Sequence, residues 1–153
     1  MTIRDQEPVE KYLLVDGYNI IFAWEDLNAL AQNSMDRARQ ALMDELCSYQ
    51  SYTSQHVILV FDAYRVKGGQ RRVERYHNIH VVYTQEAETA DQYIEQASYT
   101  LGKRYQVRVA SSDNLEQIIV LGHGCIRVSA KGFREEVELV KQEVGLRLAG
   151  QQR

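Results

Sequence analysis

Tyr12-Leu13-Leu14-Val15-Asp16-Gly17-Tyr18-Asn19 decides the fold of this chain. An apolar run reads as a short buried strand, closes on an aspartate, and turns at a glycine into a helix. The same arrangement recurs downstream. Val57-Ile58-Leu59-Val60-Phe61 closes on Asp62, and Val107-Arg108-Val109-Ala110 is followed by two serines and Asp113. Strands that each end in a carboxylate bring those groups together if the strands are parallel neighbours. The functional crevice of an open parallel sheet lies outside the carboxyl ends of its strands. Carboxylates crowded there repel one another unless a cation sits between them. The pattern predicts a magnesium-type site, and with it phosphate chemistry.

Outward from that stretch, strand and helix patterns alternate to both ends, which favours a parallel α/β sheet. Tyr18 to about Ala31 reads as helix, in two pieces. Ser34 is an N-cap for the next helix, which runs to about Tyr52 with Met35, Ala38, Leu42, Leu46 and Tyr49 on its apolar face. His56–Phe61 is a strand buried on both faces. Ala63–Asn78 reads as a polar loop around Gly68-Gly69. Ile79–Tyr83, Gln106–Ala110 and Cys125–Val128 read as further strands. Helices are predicted over Glu88–Leu101 and Asn114–Leu121, the second stopped by Gly122 and Gly124. A last helix carries Phe133, Val137, Val140, Val144 and Leu148 on one stripe. Right-handed crossovers place helices on both faces of a sheet of about five strands.

Composition narrows the function classes. The chain has 153 residues and 44% hydrophobic residues, which fits one domain with a real core. Its net charge of -3 excludes a generally basic nucleic-acid-coating protein, so any RNA contact must be local. The two cysteines, Cys47 and Cys125, do not make a disulfide scaffold and read as reduced core residues of a cytoplasmic protein. No apolar run approaches the roughly 18 residues a membrane span requires. Residues 1–11 form a polar extension holding the only proline, Pro8, and do not read as a signal peptide. Residues 12–149 form the folded domain. Oligomeric state is not encoded in any pattern here.

Asp16, Asp62 and Asp113 are candidate metal ligands and catalytic groups. Glu88 and Asp91, at i and i+3, put two more acids on one face of a first helical turn. Each has a blander reading. Asp16 and Asp113 can cap a helix or loop, Asp62 can pair with Arg65, and acids favour helix N-termini for dipole reasons alone. Their joint appearance at one sheet edge is the stronger signal. Magnesium needs only a few carboxylates because it keeps several waters. No Gly-rich phosphate loop, His/Cys metal motif or serine elbow competes. Arg65, Lys67, Arg71, Arg72 and Arg75 leave the strand end that carries Asp62, flanked by Tyr64, Tyr76 and His77. Arginines fork onto phosphates and tyrosines stack on unpaired bases, so this loop and Lys131 are candidate RNA contacts. The alternative is a solvated charged loop.

Leu-Val-Asp16-Gly-Tyr-Asn19, Val-Phe-Asp62-Ala, Glu88-Thr-Ala-Asp91 and Ala-Ser-Ser-Asp113, in that order, resemble the NYN branch of PIN-like nucleases, and within it the YacP-like group. The resemblance runs from about Tyr12 to the final helix. It implies a PIN-like three-layer fold and a magnesium- or manganese-dependent endoribonuclease. Residues matching Asp16 and Asp91 would be the core acids, Asp62 and Asp113 would help build the pocket, and Asn19 and Ser112 would support it. That group includes a ribosome-associated mRNA endonuclease, which implies messenger RNA and the ribosome as partners. Two other classes compete. A phosphoacceptor receiver domain also ends strands in aspartates, and Ser129-Ala130-Lys131 is similar to its lysine motif. Against it, Asp16 is followed by Gly17 rather than a second acid, and a helix stands where a receiver has a strand. An RNA- or ribosome-binding module with little catalysis fits the basic loop but leaves the acids unused.

Overall fold

The computed structural model describes residues 10–63, 67–112 and 125–151. The element order is β1 (Lys11–Asp16), α1 (Gly17–Ala23), α2 (Glu25–Asn33), α3 (Met35–Thr53), β2 (His56–Phe61), β3 (Arg72–Tyr76), β4 (Ile79–Tyr83), α4 (Ala90–Gly102), β5 (Gln106–Ser111), β6 (Ile126–Ser129) and α5 (Ala130–Gln151). The expected helix at Asn114–Leu121 lies outside the described residues, as do Asp113, Tyr64 and Arg65.

β1 is central because its apolar residues cannot be exposed on either face. Leu13, Leu14 and Val15 are fully buried. Burial of each such side chain contributes about 1.5–3 kcal/mol. Leu13 and Val15 join the core formed with α1, α2, α3 and α5, whereas Leu14 joins Val60, Val82, Ile94 and Val109 under α4. The result is three layers, with helices on both faces of one sheet, as the resemblance implies. The strand order is β3-β4-β2-β1-β5-β6. β1 pairs in parallel with β2 and with β5, and β2–β4 and β5–β6 are also parallel.

One expectation is corrected. Among the described residues the sheet has six strands, not about five, because Arg72–Tyr76 is a strand and not part of a loop. β3 runs antiparallel to β4, from Arg72 opposite Tyr83 to Tyr76 opposite Ile79. His77-Asn78 turns this hairpin, with His77 at φ 50°. The turn is pinned to α3: Asn78 Nδ2 donates to the Cys47 carbonyl at 3.1 Å and to Ser51 Oγ at 2.9 Å.

Several local expectations hold. The Tyr18–Ala31 stretch is two helices, broken at Trp24. Ser34 caps α3, accepting from the Arg37 N–H at 3.2 Å. Cys47 and Cys125 are free thiols, but both are half-buried rather than core. The stripe on α5 buries Phe133 and Val137, while Leu148 is exposed. Among the described residues no helix is long and apolar enough to cross a membrane.

Candidate active site

The chain direction reverses between β1 and β5. From β1 it moves outward to β2 and then β4, with α1–α3 covering one face. From β4 it returns over the other face through α4 to β5, on the far side of β1. Ligands of open α/β sheets bind at such a switch point, beyond the strand carboxyl ends. Asp16 closes β1 there, and Ser111-Ser112 follow at the end of β5.

Gly17 lets α1 start against β2. A Cβ on it would lie 2.4 Å from Phe61 Cε1 and 3.0 Å from the Val60 carbonyl oxygen. The tight start folds Asn19 back onto Asp16, where Asn19 Nδ2 donates to Asp16 Oδ2 and the Asn19 N–H to Oδ1. Asp16 is thus also the N-cap of α1. Ser112 Oγ donates to Asn19 Oδ1, joining β5 to the same network. Arg127 donates to the Ser112 carbonyl at 3.3 Å.

Asp91 arrives from the first turn of α4 and meets Asp16. Asp16 is 3% exposed. Burial raises its carboxyl from 3.8 to about 6, hydrogen bonds from Asn19 oppose the rise, and the charge and carboxyl contact of Asp91 add to it. Two carboxyl groups within hydrogen-bonding reach form an all-oxygen donor set that suits a small hard cation.

The remaining predicted acids are placed differently. Asp62 Oδ2 accepts the Ala90 N–H at 3.3 Å, at the N-terminus of α4. Thr84 holds that loop: its hydroxyl accepts the Ala63 N–H at 2.8 Å and its own N–H donates to the Phe61 carbonyl at 3.1 Å. Glu88 is not beside Asp91 on a helical face, because Thr89 is the N-cap and Glu88 precedes the helix. Its carboxylate accepts a fork from Arg71, with Nε to Oε1 at 3.1 Å and Nη2 to Oε2. The Arg71 hydrogen bonds hold Glu88 below its ordinary value. Among the described residues no three acidic, histidine or cysteine side chains gather within reach of one ion. Asp16 and Asp91 are the pair that meets, and Asp113 lies outside the described residues.

The basic stretch is also reassigned. Arg71 is spent on Glu88, and Arg72 pairs with Glu74 at 2.8 Å and lies 4.3 Å over the Tyr83 ring. Arg75 donates to the His77 carbonyl at 3.2 Å and sits opposite His80, at the end of the hairpin away from the carboxyl pair. Lys67 and Lys131 are exposed. Lys131 opens α5 directly after β6, on the rim beside Ser112, where an open groove of about 990 Å³ runs past Trp24, Asp26 and Arg134. Arg65 lies outside the described residues.

Sequence inspection overlooked Thr84, Thr89 and the Arg71–Glu88 fork. Thr89 had a visible signal: Thr-Ala-Asp-Gln is a capping box, and both of its reciprocal hydrogen bonds form. The other two depend on contacts across 21 and 17 residues of chain, which no local pattern announces.

Residues 13–153 match the YacP-like NYN domain family. The chain is 42% identical over 137 residues to a protein of Bacillus subtilis (strain 168) called uncharacterized protein YacP, covering 89% of this chain and 80% of that one. A crystal structure of Rae1 (YacP) from Bacillus subtilis matches with a TM-score of 0.76 and 41% identity, over 91% of this chain and 80% of that chain. A tryptophan-to-leucine mutant of the same protein matches with a TM-score of 0.78 and 39% identity, over 92% and 82% of the two chains. A match of this extent leaves no place for the receiver reading.

Proposed function

Because the chain belongs to the YacP-like NYN domain family, a nuclease-type, RNA-related family, we propose that it is a metal-dependent endoribonuclease acting on single-stranded RNA. The observation that carries this reading is the contact of Asp16 with Asp91 at the β1/β5 switch point. Asp16 and Asp91 would hold a magnesium or manganese ion, with Asp113 a further ligand from the segment after β5. Such an ion, when bound, would neutralise the paired carboxylates and offset the negative charge that builds on a phosphodiester under attack by water.

The chain's own groups supply position. Asn19 orients Asp16 through two donated hydrogen bonds, and Ser112 orients Asn19. Asp62 fixes the α4 N-terminus that delivers Asp91. Lys67 and Arg72 on one side of the rim and Lys131 on the other would receive backbone phosphates, with Arg72 giving up its pairing to Glu74; Arg75 lies at the distal end of β3. Messenger RNA on translating ribosomes, in the cytoplasm, is the setting that the family resemblance supports.

The test is cleavage of messenger RNA on translating ribosomes, comparing the wild type with Asp91→Asn, with and without chelator. Cleavage lost in both the variant and the chelated sample supports the proposal. Undiminished cleavage by Asp91→Asn, or in chelator, overturns it.

A second reading has one observation in its favour. Only two carboxyl groups meet among the described residues, which suits an RNA- or ribosome-binding module with little catalysis. Salt-dependent RNA affinity that ignores magnesium, with no cleavage on any substrate, would favour it.

A further inference from the structure

The opposite end of the sheet carries a second cluster that the proposed cleavage site does not use. It lies where β1, β2 and β5 begin, with Tyr12 opposite both His56 and Val107. Three rings form a ladder there: Tyr12 stacks on His56 with centroids 4.8 Å apart, and Tyr105 lies 4.8 Å from Tyr12 on its other side. The Arg104 guanidinium sits 5.7 Å from the Tyr105 ring, and Lys103 Nζ 4.5 Å from the Tyr99 ring. Tyr99 is 46% exposed, and the side chain of His56 equally so.

Several cations elsewhere in the fold are neutralised. Arg39, Arg71, Arg72, Arg108, Arg134 and Lys141 are each held by a carboxylate. Among the described residues Lys11, Lys103 and Arg104 form no ion pair; Glu10 lies 4.0 Å from His56, and Glu136 is held by Arg108. Cations steadied by aromatic faces keep their full charge for a partner. In a chain of net charge -3, Lys103 and Arg104 together with Lys11, beside exposed rings, are a local positive surface.

We propose that this end of the sheet is a second RNA-contacting surface, in which Lys11, Lys103 and Arg104 take backbone phosphates and exposed rings of the tyrosine–histidine cluster stack on unpaired bases. Single-stranded RNA meets both demands, because it offers closely spaced phosphates and free base faces. An acidic polypeptide meets only the first. β1 spans roughly 16 Å from Lys11 to Asp16, so the surface holds RNA remote from the carboxyl pair. The inference does not require the carboxyl pair to cut.

The test is fluorescence anisotropy of a labelled, mixed-sequence single-stranded RNA over a salt series. Chelator is present throughout, so that binding is read whether or not the chain is a nuclease. For Lys103→Ala/Arg104→Ala, affinity should fall about fivefold and the log–log salt slope should shrink by about 1.4, as expected for two lost phosphate contacts on a single strand. Tyr99→Ala should weaken binding and leave the slope unchanged. The double variant should melt at the wild-type temperature, because Lys103 and Arg104 are exposed. Unchanged affinity and slope in the double variant overturns the proposal. So does an equal loss of binding to labelled polyglutamate, with no preference for RNA in the wild type. Failure of the cleavage test above leaves these readouts intact, so the two conclusions stand or fall separately.

Discussion

Asp91 and Asp16 meet across the rim of the sheet from helices on opposite faces. Asp16 ends β1 and caps α1 on one side, while Asp91 lies in the first turn of α4 on the other. Neither carboxyl is delivered by a long loop. Their approach is set by where two helices start.

That approach has a cost for the metal-free fold. Asp16 titrates near 6 against an ordinary 3.8, with burial the main cause and Asp91 adding to it. A raised folded value means that folding favours the protonated form. The stabilising contribution is complete below about pH 4 and is lost as pH rises through about 6. Asp16→Asn is neutral throughout and keeps a side-chain oxygen to cap α1. Without divalent ions at pH 8 it should be more stable than the wild type by about 3 kcal/mol, and the gap should close at pH 4. Thermal melts at the two pH values check this. A variant that melts below the wild type at pH 8 would contradict the electrostatic account. If the proposed ion binds, magnesium should raise the wild-type melting temperature and leave the variant's unchanged.

Arg71 ties the loop before β3 to the loop before α4. Beside its fork on Glu88, the Gly68 N–H donates to Glu86 Oε2 at 2.8 Å and the Glu86 N–H to the Gly69 carbonyl at 2.8 Å. Arg71→Ala leaves a largely buried carboxylate without its partner and should cost about 1–3 kcal/mol in urea denaturation. Glu88 is held below its ordinary value, so its contribution is present above that value and disappears as pH falls through the depressed one. The variant should therefore lose part of the acid limb of the wild-type stability profile. Its RNA affinity should keep the wild-type salt slope, because this guanidinium is committed to Glu88. A flattened slope would restore Arg71 as a phosphate contact.

Gly17 is required by steric contact, not by backbone conformation. An added methyl group would meet the Phe61 ring at 2.4 and 2.6 Å. Gly17→Ala should destabilise by about 1–3 kcal/mol through overpacking. Adding Phe61→Leu should recover part of that loss, read as a non-additive double-mutant cycle. Strict additivity would show that the clash with Phe61 is not the cause.

Much of the architecture was legible in the chain because the central strands are buried on both faces. Runs such as Leu13-Leu14-Val15 and Leu59-Val60-Phe61 have no other comfortable place than the middle of a parallel sheet, and their closing aspartates mark the rim. β3 was not legible. Arg72, Val73, Glu74 and Arg75 are all exposed, so this edge strand is defined by backbone pairing to β4, with no buried side-chain alternation to betray it. The carboxyl positions were readable; their partners were not. Asp62 turning to the α4 N-terminus and Glu88 to Arg71 are contacts between segments 28 and 17 residues apart. Charge alone does not say whether an arginine faces solvent or a neighbour, which is why the basic stretch read as a free patch.

The carboxyl pair hangs from the middle of the sheet, while the β3–β4 hairpin and β6 form its two margins. If the proposed site is the catalytic one, chemistry would sit at the centre of this scaffold and leave its margins free to vary. Substitutions in the outer strands should then leave the Asp16–Asp91 contact intact, because neither residue lies on those strands.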